Sequence, residues 1–312
     1  MKRRLWVPVI WGVAAMMAVT CSGCLTSPFR RPTPTQPQTG VEPTITLLLE
    51  DKGQKVTMRM EQYLEGVVAA EMGPDWPPEA LGAQAMLART FTVQRIDEKG
   101  GTRQLHGTDA CTNPDHFQAY DASKVNDAVK AAVNATRGTI ITSAGKPVLA
   151  WFHANSGGMT ATPEEGLGFR EQPTPYLTSQ KDVAAKVDQW TQTFTTDEIM
   201  NALKKMGKQV AAVKSMRISK KGPSGRATEF TVDSQVVPGP ELRTALGANK
   251  MRSTLLDSIT MSSARVTMKG KGWGHGVGMS QEGARTMAQQ GKKATDIINF
   301  YYKGVQIEKR WR

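Results

Sequence analysis

The run KGKGWGHGVGMSQEGA, residues 269–284, constrains the fold more than any other stretch of this chain. Gly272, Gly274, Gly276 and Gly278 alternate with Trp273, His275, Val277 and Met279. The two-residue period predicts a strand-like segment with one bare face, which another backbone or a flat ligand can approach closely. Ser280 then stands where it can cap a helix that begins at once. The spacing departs from the dinucleotide-binding fingerprint, and no βαβ unit surrounds it, which argues against a nucleotide here.

Elsewhere hairpin and helix patterns alternate without a βαβ rhythm or an internal repeat, so the expected class is α+β, mixed helices and antiparallel hairpins. Residues 45–58 read as a hairpin around a Lys-Gly turn, and 60–72 carry helical spacing at Leu64, Val67, Val68 and Glu71. A second helix is expected from Pro77-Pro78 onward, slim along Gly82, Ala83, Ala85 and Ala88. A short helix (123–135), strands at 138–143 and 147–153, and a helix at 195–206 follow. Next come a hairpin around KKGPSG, a short helix at PELRTALG, strands near 255–261 and 264–270, and closing helices at 280–290 and 293–303.

At 312 residues and 39% apolar content the chain can bury a substantial core. Forty Lys and Arg against 28 Asp and Glu give a net charge of +12, which suits an anionic partner. The charge is scattered, with no basic block interleaved with aromatics, so no nucleic acid is expected. Residues 1–24 have a basic start, an apolar run and small residues before Cys24: an export signal, a lipoprotein signal or a membrane anchor. Residues 25–44, rich in Pro and Thr, read as a tether holding a domain at 45–312 off the outer face of the membrane. Cys111 is the one cysteine in that body, so no internal disulfide forms there.

Three groups could carry chemistry. Glu71 lies on the apolar stripe of its helix, where burial would raise its pKa and let it act as an acid near pH 7. The alternative is a structural ion pair with Arg89. Glu61 and Glu65 read as solvated faces, and Glu79 as a first-turn residue suited to the helix dipole. His106, Cys111 and His116, each separated by four residues in a turn-rich loop, offer three zinc ligands. The fourth would be water, Asp109, Asp115 or a distant group. HANSGG, after a strand, supplies a glycine-opened polar loop that suits a sugar.

In order along the chain, YLEGVVAAEM, EALGAQAMLARTF, SGGMT with PYL, SGR, ELRTALG, GWGHGVGMSQEGA and IINFYYKG resemble the blocks of the stage II sporulation protein D family. Its members are lytic transglycosylases of septal peptidoglycan, and the resemblance spans roughly residues 45–308. It implies that Glu71 is the catalytic glutamate in a glycan-binding cleft. Gln84, Arg89, Ser156, Gly157, Gly158 and His275 would be cleft or support residues. It implies a structural zinc held by a His/Cys/His/Cys loop, of which His106, Cys111 and His116 match three positions and Phe117 replaces the fourth. Peptidoglycan glycan strands, a cell-wall amidase and a membrane scaffold protein are the partners it implies. Two rival expectations stand beside it: a non-catalytic glycan-binding module that stimulates an amidase, and a zinc hydrolase.

Overall fold

A computed structural model of the chain describes residues 40–73 and 75–312. The expected signal or anchor and most of the tether lie outside the described residues. Residues 40–43, expected to end the tether, are docked on the body. Gly40 N–H donates to the Arg310 carbonyl, the Pro43 carbonyl accepts from Met60 N–H, and Glu42 pairs with Arg137. Among the described residues no helix is long and apolar enough to cross a membrane.

Two hydrophobic cores are built in an α+β arrangement. The first begins with the hairpin β1 (Thr44–Leu49) and β2 (Gln54–Arg59), whose alternation buries Ile45 and Leu47. Helix α1 (Met60–Glu71) follows directly, then α2 (Pro78–Lys99), with Pro in its first turn and Gly100 closing it in the left-handed conformation. Short α3 (Arg103–His106) leads to β3 (Ala110–Cys111), which pairs in parallel with β1. Helix α4 (Asp127–Ala135), capped by Asn126, precedes β4 (Thr139–Ser143), β5 (Lys146–Pro147) and β6 (Phe152–His153).

Residues 80–90 of α2 are buried on every side, because α1, α4, β4 and two C-terminal helices surround them. The small side chains noted in the sequence permit that crowding: a Cβ on Gly82 would lie 3.3 Å from Thr136. The expected strand 147–153 is interrupted at 148–151. There Leu149 N–H donates to the Tyr176 hydroxyl instead of a strand partner, and the Trp151 carbonyl accepts from the Tyr302 hydroxyl as well as from Met279 N–H.

The second core follows α5 (Pro163–Leu167). Strand β7 (Gln189–Thr195), capping-box helix α6 (Thr196–Lys205), the meander β8 (Met216–Lys221), β9 (Ala227–Val232) and β10 (Gln235–Pro238), and α7 (Gly239–Leu246) enclose it. Strands β11 (Leu256–Ser262) and β12 (Arg265–Lys271) complete an antiparallel sheet of order β11-β12-β7. The chain then returns to the first core through β13 (Met279–Ser280), α8 (Gln281–Gln289), α9 (Ala294–Tyr301) and β14 (Gln306–Lys309).

The glycine run is that return, and it is not a strand with one bare face. All four glycines have φ between +74° and +110°. The segment turns repeatedly, making isolated bridges at Trp273 and Val277, before β13 pairs in parallel with β6. A Cβ on Gly278 would sit 1.9 Å from the Trp151 carbonyl oxygen, and one on Gly276 would sit 2.4 Å from the Arg226 guanidinium. The bare positions are filled by the chain's own loop 151–161 and by Arg226.

Candidate active site and candidate metal loop

Glu71 is the last residue of α1, where the carbonyl end of the helix dipole disfavours a negative charge. Its side chain is half-buried, and among the described residues no cation pairs with it. One hydrogen bond reaches its carboxylate: Ala119 N–H donates to Oε1 at 3.3 Å. Burial outweighs that bond and pushes the carboxyl up to about 7. Such a group exists in both protonation states near neutrality, as a proton donor that later acts as a base must.

The N-terminus of α8 closes on this helix end. Gln281 donates from Nε2 to the Glu71 carbonyl (3.2 Å) and to Gln84 Oε1 (3.4 Å). Gln84, fully buried on α2, keeps its own Nε2 without a protein partner. Arg285, one turn further along α8, lies over the Trp76 ring at 5.1 Å in the segment that follows Glu71. Sequence reasoning named Glu71 and Gln84 here but missed Ala119, Gln281 and Trp76. Gln281 opens the helix that Ser280 caps, a signal present in the quoted run.

Arg89 does not pair with Glu71 and has no exposed atoms with which to meet a ligand. Its guanidinium grips Glu61 in a bidentate pair, Nε to Oε1 at 3.0 Å and NH2 to Oε2 at 2.6 Å. Glu61, expected on a solvated face, is 5% exposed and also accepts from Gly138 N–H and Trp311 Nε1. The helical stripe could not reveal these partners, because all four donors come from residues 89, 138 and 311. Arg89, which also donates to the carbonyls of Val133 and Thr139, is thus a support residue joining α1 and α2 to α4 and β4. Glu65 is half-buried rather than solvated, whereas Glu79 receives Ala294 N–H and Lys293 Nζ.

Ser156 is the buried centre of a hydrogen-bonded knot, whereas Gly157 and Gly158 beside it are half-buried and the Cβ position of Gly158 meets open space. Ser156 is fully buried; its hydroxyl donates to Asp182 Oδ2 at 2.5 Å, and Tyr301 donates to Oδ1 of the same carboxylate at 2.6 Å. Arg226 NH2 donates to the Ser156 carbonyl at 2.6 Å. Asn155 Oδ1 takes Gly157 N–H, and Ser156 Oγ takes Gly158 N–H. His275 is half-buried beside His153, with ring centroids 5.8 Å apart. Burial, followed for His153 by the charge on Arg226, holds both imidazoles neutral; His153 is pushed down to about 3. Val277 N–H donates to His275 Nδ1, so its proton resides on Nε2. Trp273 is exposed beneath the Arg252 guanidinium, 4.4 Å from its ring centroid. The run from 272 to 281 therefore links this knot to Glu71 through β13 and the first residue of α8.

His106, Cys111 and His116 come together, as their spacing predicts. His106 Nε2 and His116 Nδ1 lie 3.1 Å apart, and Cys111 is buried beside them on β3. Glu50, in the turn after β1, joins the group, and the four donor atoms all lie within 4.8 Å of one another. Two imidazoles, a thiolate and a carboxylate suit tetrahedral zinc. Phe117 turns the other way into the core, with its ring edge-on to Phe91 at 5.2 Å. Asp109 and Asp115 lie outside the cluster; Asp109 instead accepts from Thr46 and pairs with Arg103.

Similarity to known proteins follows this division of the chain. A family model described as Stage II sporulation protein matches residues 50–143, which contain Glu71 and the four-donor cluster. A second, a domain of unknown function, matches 174–278 and so coincides with the second core and the glycine run. The stage II sporulation protein D of Bacillus amyloliquefaciens is 33% identical over 264 residues, covering 80% of this chain and 74% of that one. An uncharacterized protein of Brachyspira hyodysenteriae is 35% identical over 253 residues, covering 80% and 67%. The amidase enhancer of Bacillus subtilis is 27% identical over 298 residues, covering 78% of this chain and 40% of that protein. Identity of this extent makes the chain a member of the stage II sporulation protein D family.

Proposed function

We propose that this chain is a peptidoglycan lytic transglycosylase that remodels septal wall during sporulation. The observation that carries this reading is Glu71: one half-buried carboxyl at a helix C-terminus, with no cation partner among the described residues, pushed up to about 7 by burial. Protonated Glu71 donates to the glycosidic oxygen between MurNAc and GlcNAc as the C1–O bond breaks. The resulting carboxylate takes the proton from the C6 hydroxyl of the same muramic residue while O6 bonds to C1. The product is a 1,6-anhydro end, no water is consumed, and Glu71 regains its proton. A hydrolase needs a second carboxylate to activate water or trap the sugar, and this route does not.

Gln84 and Gln281 position the helix end that carries Glu71. The N-terminal segment would place this domain outside the cytoplasmic membrane, by lipid or by anchor, where stem-peptide-free glycan strands, a wall amidase and a membrane scaffold protein would meet it. The likeness to an amidase enhancer favours a second reading, a glycan-binding module that stimulates an amidase without cutting. Digesting peptide-free glycan strands with the protein and its Glu71→Gln variant separates the two. Anhydro-muramic ends from wild type alone support the lytic reading. Cosedimentation without cleavage supports the accessory one, and reducing ends mean hydrolysis.

A further inference from the structure

The turn after β1 places the Glu50 carboxylate beside His106, Cys111 and His116. Glu50 Oε1 lies 3.6 Å from His106 Nε2 and 3.4 Å from His116 Nδ1, and those two nitrogens are 3.1 Å apart. In a tetrahedral zinc site with bonds of 2.0–2.3 Å, neighbouring donor atoms are separated by about 3.3–3.8 Å. These three edges therefore already have nearly the dimensions of one face of such a tetrahedron. Cys111 Sγ, within 4.8 Å of each, supplies the fourth corner. The same groups have little other use. Among the described residues no lysine or arginine pairs with Glu50, and the contact of Cys111 Sγ with the Asn113 carbonyl is long, at 3.9 Å.

We infer that Glu50 completes a zinc site with His106, Cys111 and His116, in the role that the resemblance gives to a second cysteine. Charge is conserved in the exchange. A thiolate and a carboxylate with two neutral imidazoles carry −2, as two thiolates would, and neutralise a divalent ion equally well. Backbone geometry fixes the replacement in position. Leu48 is in parallel register with Cys111, and Glu50 N–H donates to Thr112 Oγ1 at 3.1 Å, so the β1 turn is held against β3. The ion would clamp that turn to the end of α3 and to the loop at 111–116. That loop continues to Ala119, the donor to Glu71. The site stands or falls independently of the transglycosylase reading.

The test uses the full chain, stripped with chelator and equilibrated with zinc or cobalt at controlled free-metal concentrations. Wild type is expected to retain one equivalent of zinc, and its cobalt form to show tetrahedral visible bands with a thiolate charge-transfer band. Glu50→Gln preserves the side-chain shape on a partly exposed turn, and it is expected to weaken binding at least about tenfold and alter the visible bands. Glu50→Asp, which retracts the carboxylate, is expected to weaken it too, and far-UV circular dichroism of each metal-free protein checks the fold. Wild-type affinity and spectra in both Glu50 variants would overturn the assignment. So would a wild type that retains no stoichiometric metal.

Discussion

Replacing Glu71 with glutamine converts the burial of its carboxyl into a measurable stability difference. The substitution keeps the shape and the ability to accept from Ala119 N–H while removing the titration. Glu71 rises from an ordinary 4.5 to about 7 on folding. At about 1.4 kcal/mol per tenfold change in proton affinity, its ionised form costs the folded state about 3 kcal/mol. The native carboxyl binds its proton more tightly than the unfolded chain does, so this contribution is fully present below pH 4.5. It is lost as the pH rises through 7. Between pH 4.5 and 8.5 the wild type should therefore lose about 3 kcal/mol that Glu71→Gln does not lose, the other groups cancelling in the difference. Urea unfolding of both proteins across that range gives the difference directly. A wild-type-minus-variant stability independent of pH would show that Glu71 titrates as an ordinary solvated carboxylate. It would also remove the main physical argument for its role as an acid.

Other perturbations test the supports around this site. Glu61→Ala leaves the Arg89 guanidinium buried and unpaired, and is expected to cost about 3–5 kcal/mol in denaturant unfolding. Gly278→Ala forces a Cβ to within 1.9 Å of the Trp151 carbonyl at φ +74°, so thermal melts should show a loss of more than about 2 kcal/mol. His275 is held neutral across the physiological range, so His275→Gln should leave the pH at which glycan cleavage rises or falls unchanged, whatever it does to the rate. Under the lytic reading, the pH–rate limb near 7 belongs to Glu71; a shift of that limb in His275→Gln would contradict the assignment.

Local patterns gave the residues of the site more readily than their partners. Residues 60–72 show one apolar stripe, and that was enough to place Glu71 where solvent is scarce. Glu61, three residues before Leu64 and seven before Val68, lies on the edge of that stripe, and a charged residue there reads as solvated until its partners are known. Its burial depends on Arg89, Gly138 and Trp311, which reach it from 28, 77 and 250 positions away. Spacing joined His106, Cys111 and His116, because ligands within one loop are close in sequence. Glu50 was hidden because a hairpin and a parallel strand pair bring it back across more than fifty residues. The glycine run failed in an instructive way. Period two is the mark of a strand when alternate side chains face a core. Here the alternate positions are glycines with positive φ, each relieving a close approach by the chain itself. The period records how closely the return from the second core is threaded past the 151–161 loop. That threading delivers Ser280 and Gln281 to the end of α1, so the sequence feature that most resembled a ligand platform serves instead to aim the helix that braces Glu71.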